Sequence, residues 1–240
     1  MISNNTEKLL RKLKAKKYRW TMELFVAEGP KVVSELLDLK MKPQHLFSDK
    51  QEWESKGATL ISSSELKSAS QLETSNEVIA VFPFPKFDKS SKSNVTLVLD
   101  SINDPGNLGT IIRLCDWFGV TELICSLKTV DCYNAKVVQA SMGSLTRISI
   151  HYIDLKTYLT ATKTPTFIAD MNGENVYKTS LPKEGVLIMG NEANGVSEEI
   201  KKLIVNKISI PRFGEIQETE SLNVATATAI LLSEFKRGCV

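Results

Sequence analysis

From residue 95 onward, short β-branched runs alternate with helical patterns, and this alternation constrains the fold more than any other feature. The run at 95–100, Val-Thr-Leu-Val-Leu-Asp, is apolar on both faces, as expected of a strand covered by helices on each side. Similar runs stand at 122–125, 147–151, 166–169, 186–189 and 207–210, and helical patterns occupy 108–118, 134–141, 154–161 and 197–204. Such alternation predicts a parallel sheet with helices on both sides. Ligands of such sheets bind beyond the carboxyl ends of the strands. That rule selects three loops, 101–109, 190–197 and 211–221.

The stretch 82–94 is the clearest boundary. Pro83 and Pro85 disfavour continued helix, and the Ser/Lys run after them has no apolar periodicity. The expected organisation is a domain at 1–85, a linker at 86–94 and a larger domain at 95–240. The first part predicts a helix over 5–16, a strand at 24–27 and a helix over 30–39 with Pro30 in its first turn. Short strands follow at 45–47, 59–61 and 78–82, with Ser62 to Ser64 able to cap a short helix. This is a small α/β unit without a catalytic constellation.

A chain of 240 residues that is 42% hydrophobic and 24% charged fits a soluble globular protein. Its longest apolar runs, such as 95–99 and 229–232, are too short to span a bilayer. The polar start Met-Ile-Ser-Asn-Asn lacks a signal-peptide core, so a cytoplasmic location without membrane association is expected. Cys115, Cys125, Cys132 and Cys239 form no C-x-x-C, and His45 and His151 are the only histidines. No metal site is therefore expected, and the cysteines read as reduced small hydrophobes. The net charge of +2 announces no global basic field, but residues 7–19 carry Lys8, Arg11, Lys12, Lys14, Lys16, Lys17 and Arg19 against Glu7 alone. With Tyr18 and Trp20 adjacent, this stripe suits RNA phosphates and stacked bases. It equally suits a solvated amphipathic helix with Leu9, Leu10 and Leu13 packed inward.

The first selected loop contains Asp104-Pro105-Gly106, which forces a turn, and Asn107 is placed to cap the helix that follows. Gly109 permits close backbone approach, and Arg113, six residues beyond Asn107, can reach back toward the loop. A plain helix cap with a structural arginine would look the same. Dinucleotide and Walker-type phosphate loops are both excluded. Only Gly106 and Gly109 are present where G-x-G-x-x-G needs three, and no G-x-x-x-x-G-K-[ST] occurs. A small-molecule nucleotide enzyme is thereby disfavoured. In the second loop Gly190 and Gly195 flank Asn191, Glu192 and Asn194, and Ser197 precedes Glu198 and Glu199 at a helix start. Glu192 can orient a hydroxyl or an arginine, or simply pair with a nearby base. The third loop runs from Ile210-Pro211 into Ser221-Leu222-Asn223, with Ser221 as the expected cap and the Asn223 amide reaching outward. Alone it reads as an ordinary capped C-terminal helix.

Taken together and in this order, the three loops resemble the three motifs of the SpoU (TrmH) family of RNA ribose 2′-O-methyltransferases, within the SPOUT superfamily. The motifs are Asn103 to Arg113 (NDPGNLGTIIR), Gly190 to Ser197 (GNEANGVS), and Ile210-Pro211 with Ser221-Leu222-Asn223-Val224-Ala225. The N-terminal Lys16-Lys17-Tyr18-Arg19 and Phe25-Val26-Ala27-Glu28-Gly29 are similar to the small, ribosomal-protein-like RNA-binding domain often fused to this family. The resemblance implies a deep trefoil knot, S-adenosylmethionine as cofactor and a homodimer with the active site near the subunit contact. It implies catalytic roles for Asn107, Arg113, Glu192, Ser221 and Asn223. Cofactor contacts would come from Met189, Gly190, Asn191, Ile210, Leu222 and Asn223, and RNA contacts from Lys16, Lys17, Arg19 and Arg113. In the family Arg113 is the proposed base, with Glu192 orienting it and Asn107 positioning either Arg113 or the ribose. A guanidinium suits phosphate binding and alkoxide stabilisation better. The implied substrate is ribosomal RNA of the 23S type; a tRNA target, or RNA binding and ribosome assembly without catalysis, are the alternatives. One departure is a 212–220 stretch about three residues longer than in many relatives, which leaves side-chain roles at 212–220 unassigned and can alter the rim of the cofactor pocket.

Overall fold

A computed structural model describes residues 2–74, 76–87, 93–215 and 221–237. They divide into two compact units. One holds the residues up to Lys86 together with Asp131–Thr146; the other holds Phe87–Val130 and the chain from Arg147 onward.

In the first unit the order is α1 (Asn4–Lys12), α2 (Lys16–Met22), β1 (Leu24–Glu28), α3 (Pro30–Asp38), β2 (His45–Ser48), β3 (Thr59–Leu60), α4 (Ser63–Ala69) and β4 (Val78–Pro83). The second unit continues with β5 (Val95–Asp100), α5 (Pro105–Trp117) and β6 (Glu122–Ser126). The chain then supplies α6 (Ala135–Ser141) to the first unit. It returns to the second as β7 (Ser149–Ile153), α7 (Leu155–Ala161), β8 (Thr166–Asn175), β9 (Gly185–Gly190), α8 (Glu198–Lys201), β10 (Asn206–Ser209) and α9 (Val224–Arg237).

The first sheet has the order β1-β4-β2-β3, with β3 parallel to β2 and the other pairs antiparallel. Every residue of β1 is buried, so both of its faces are covered. Leu24 and Val26 join Leu10, Leu13, Leu66, Ile79 and Val81 in one core, while Phe25 lies against Phe82 and Tyr133. The helix expected over 5–16 stops at Lys12, and a second helix begins at Lys16. Its break at Leu13 and Lys14 contains no proline or glycine. It is held instead by Arg19, whose Nη1 donates to the Leu13 carbonyl at 2.8 Å and to the Lys14 carbonyl at 2.9 Å. These are the orphan acceptors a helix end must satisfy. The short helix α4 begins in a capping box formed by Ser62 and Glu65.

The second sheet is parallel throughout, in the order β10-β8-β9-β5-β6-β7. Val98, Ile124, Ile168, Val186 and Ile188 face Leu155 and Leu159 of α7 and Ile200 of α8. Phe167, pointing the other way, meets Phe235 of α9, and α5 packs beside α9. Helices on both faces explain the unbroken apolar strands. The sheet differs from expectation at two places: β7 begins two residues later than read, and β8 runs on to Asn175. From β5 the sheet grows through β6 and β7 on one side and through β9, β8 and β10 on the other. The strand order therefore reverses between β5 and β9, which is where a parallel α/β sheet opens a crevice.

Candidate active site

Asp100 ends β5 directly opposite Gly190, which ends β9. The loops after these two strands therefore leave the sheet side by side at the reversal point. Each is shaped by local chemistry. Asp104 caps α5, its Oδ1 accepting the Asn107 N–H at 2.7 Å, and Pro105 stands at the first helical position. The cap is thus Asp104 and not Asn107. Asn107 sits in the first turn, where its side chain is released from capping and turned toward the crevice.

The second loop folds back on itself. Asn191 and Gly195 exchange backbone hydrogen bonds of 3.0 and 2.8 Å, and Gly195 adopts φ +66°. A Cβ on Gly190 would collide with the Gly195 carbonyl carbon and the Val196 nitrogen, so only glycine fits there. Ser197 occupies the position before α8 but its hydroxyl caps nothing; its N–H donates to Asp100 Oδ2 at 2.9 Å.

In the third loop the cap of α9 is Asn223 rather than Ser221. Its Oδ1 accepts the N–H groups of Ala225 and Thr226 at 3.0 and 3.2 Å. This fixes the amide, and its Nδ2 donates to Asn107 Oδ1 at 2.8 Å. Asn107 Nδ2 in turn donates to Glu192 Oε1 at 2.5 Å. One hydrogen-bonded chain, Asn223 to Asn107 to Glu192, thus ties the three loops together. Its donor direction is set at one end by the helix cap and at the other by a carboxylate that only accepts.

Arg113 is exposed on α5, and no hydrogen bond or ion pair holds it among the described residues. Glu192 engages Asn107 rather than Arg113. Ser221 and Leu222 are exposed, Leu222 at 48%. Gly190 and Ile210 are partly exposed at the ends of their strands. Met189 is buried in β9, so its side chain belongs to the core and only its main chain can face a ligand. Residues 216–220 of the third loop lie outside the described residues, as does Cys239. Sequence reasoning passed over Asp100, a buried carboxylate whose only signal was its place at the end of an otherwise apolar run.

The N-terminal candidates separate. Lys16 and Lys17 are exposed on α2. Arg19 is 4% exposed, and its guanidinium pairs with Asp131 at 2.6 Å while also holding the helix break. The placement of Arg19 suits scaffold rather than the expected RNA contact: it is buried, and four of its five N–H donors are held by Asp131 and the Leu13 and Lys14 carbonyls. Trp20 also donates to Asp131, from Nε1 at 2.8 Å.

Residues 94–233 match the SpoU rRNA Methylase family. The chain belongs to this family. Residues 4–82 of this SpoU-family protein match an MRM3-like substrate binding domain. Among curated proteins it is similar to the 23S rRNA (guanosine(2553)-2′-O)-methyltransferase RlmP of Bacillus subtilis (strain 168), at 29% identity over 95% of each chain. Among solved structures it is similar to a putative RNA methyltransferase of the TrmH family from Porphyromonas gingivalis, at 34% identity and a TM-score of 0.83 over 99% of each chain. An AdoMet-bound rRNA methyltransferase from Sinorhizobium meliloti is 28% identical, with a TM-score of 0.79, covering 100% of this chain and 97% of that one.

Proposed function

We propose that this chain transfers a methyl group from S-adenosylmethionine to a ribose 2′-hydroxyl of 23S-type ribosomal RNA. The observation that carries the reading is the Asn223–Asn107–Glu192 chain joining three loops at the sheet's reversal point, with the exposed Arg113 on the same helix as Asn107. The relative RlmP carries the name of a 23S rRNA 2′-O-methyltransferase, and the relative from Sinorhizobium meliloti binds AdoMet.

The residues present fit the methyl donor. Partly exposed main chain at Gly190 and Ile210 and the half-exposed Leu222 offer a polar edge beside an apolar face. These, with Asn191 and the main chain of Met189, would hold it, and Ser221 and Asn223 would meet both donor and ribose. The donor, when bound, supplies an electrophilic sulfonium methyl. The chain's own work is positional. Arg113 binds a phosphate of the substrate and stabilises negative charge as the 2′-oxygen gives up its proton. Asn107 and Glu192 hold the ribose and Arg113 in line, and such alignment supplies much of the rate in a displacement of this kind. Lys16 and Lys17 contribute phosphate contacts from the first unit.

The same reading includes a deep trefoil knot at the three loops, a homodimer and work on cytoplasmic RNA. No helix among the described residues is long and apolar enough to cross a membrane. The test is incubation of the purified chain with labelled S-adenosylmethionine and, separately, deproteinised ribosomal RNA and tRNA. The reading expects label in ribosomal RNA. Label in tRNA alone would move the target, and RNA binding without donor binding would make the chain a non-catalytic RNA-binding protein.

A further inference from the structure

The loop that carries Glu192 is fastened to the start of the loop before Asn107 by two bonds, and it is the donor in both. Asp100, 5% exposed at the end of β5, accepts the Ser197 N–H at 2.9 Å through Oδ2. Asn191, at the other end of the second loop, donates from Nδ2 to the Ser101 carbonyl at 2.9 Å. The fastening is itself braced. Ser101 Oγ donates to Asp100 Oδ1 at 3.0 Å, and the Ser101 N–H donates to Ser126 Oγ at 2.9 Å. Ser101 holds φ +62°, a left-handed conformation that a serine keeps only when its surroundings impose it. Ser126 Oγ meets Thr129 Oγ1 at 3.1 Å, and Thr129 donates to the Leu99 carbonyl at 3.3 Å. A buried polar cluster therefore lies under the reversal point, at the base of both loops.

We infer that Asp100 is a positioning residue for methyl transfer, acting through the second loop to hold Glu192 against Asn107. The argument is geometric and rests on the functional reading above. Gly190 is paired with Asp100 across the sheet, so the loop starts at a fixed point. Gly195 turns it back, and the Asp100 carboxylate catches it again at Ser197. Between those two anchors only six residues carry Glu192, too few to drift while both hold. A neutral side chain in that place would weaken the far anchor. A hydrogen bond to a buried charged group is stronger than one to a neutral group. Asp100 touches neither Arg113 nor Glu192, so its effect passes through the loop backbone.

Two variants test this. Asp100→Asn keeps the shape and removes the charge. Ser197→Pro removes the donor at a backbone angle proline accepts, φ −60°, and sets its ring carbon against the Asp100 carboxylate in place of the N–H. Each variant should speed amide hydrogen exchange in the 191–197 loop, lower kcat about tenfold and leave KM for RNA within about twofold, as loss of one buried charged bond implies. In a Glu192→Ala background Asp100→Asn should add less than about twofold, because both changes act on one element. Unchanged loop exchange in both variants would overturn the assignment. So would an undiminished Asp100→Asn effect in the Glu192→Ala background, or a fall in melting temperature and RNA affinity proportional to the loss of rate. If the wild-type chain transfers no methyl group, the functional reading fails on its own, and faster loop exchange in the variants still supports the fastening. Should Asp100→Asn fail to fold, the Ser197→Pro result decides alone.

Discussion

Arg19 and Arg113 are the two arginines expected to contact RNA, Arg19 closing a lysine-rich run beside aromatics and Arg113 set among apolar residues of a helix. In the first unit Arg19 is buried, paired to Asp131 at 2.6 Å and bonded to two helix-end carbonyls. In the second, Arg113 is exposed on α5, the helix whose first turn carries Asn107 in a bonded chain of two amides and one carboxylate. A guanidinium whose donors are satisfied inside the fold is part of the scaffold. One left without a described partner beside a crevice can take an anionic substrate. The count of basic residues distinguishes neither role, and the aromatic neighbour Trp20 is itself held by Asp131 and packed edge-on to Phe84 and Tyr133.

The largest expected effect is at Arg113. Arg113→Ala should lower methyl transfer by about a hundredfold or more, as loss of one donor to developing negative charge does. Donor affinity measured by calorimetry, and the melting temperature, should barely change. Loss of stability instead would erase the contrast with Arg19. Arg19→Ala leaves Asp131 buried without its partner and should reduce unfolding free energy by about 3–5 kcal/mol, measured in denaturant. If Arg19→Ala kept full stability and lost RNA affinity, the contrast would be inverted. Smaller again is the effect of replacing Lys16 and Lys17 together by alanine. RNA affinity should fall several-fold and the slope of log affinity against log salt should shrink by about one to two, since each lost phosphate contact removes about 0.7–0.9. The fold should be unaffected.

The smallest effect concerns pH. Burial holds the Glu28 carboxyl above its ordinary 4.5, against opposing bonds from the Ser70 hydroxyl and the Gln71 N–H. A carboxyl raised in the folded state binds its proton more tightly there. Its contribution to stability is therefore present below 4.5 and is lost as pH rises through the raised value. Glu28→Gln should gain stability relative to the parent as pH climbs from about 4 toward neutrality, read from melting curves. A gap that stays constant with pH would contradict this.

The second unit was far more legible than the first. Its central strands β5 and β9 are apolar on both faces because helices cover both, and that pattern is plain in the sequence. Glycines at 190 and 195 marked a turn that the backbone does require. The capping residues were harder. Asp104, Asn107, Ser221 and Asn223 are all competent caps, and only the path of the backbone chooses Asp104 and Asn223. In the first unit the break between α1 and α2 carries no helix breaker, because the reason for it is Arg19, six residues past Leu13. The excursion of 131–146 was invisible for a similar cause. α6 reads as an ordinary helix between two strands, and nothing local reveals that Asp131 and Tyr133 complete the first unit by pairing with Arg19 and stacking with Phe84.

The position of the transferred methyl group tests the account most directly. Ribosomal RNA labelled by the purified chain from S-adenosylmethionine can be hydrolysed in alkali, which cleaves next to every free 2′-hydroxyl. The account predicts label in alkali-resistant dinucleotides, absent when Arg113→Ala is used. Label in mononucleotides, marking a methylated base, or no label from the wild-type chain, would contradict it.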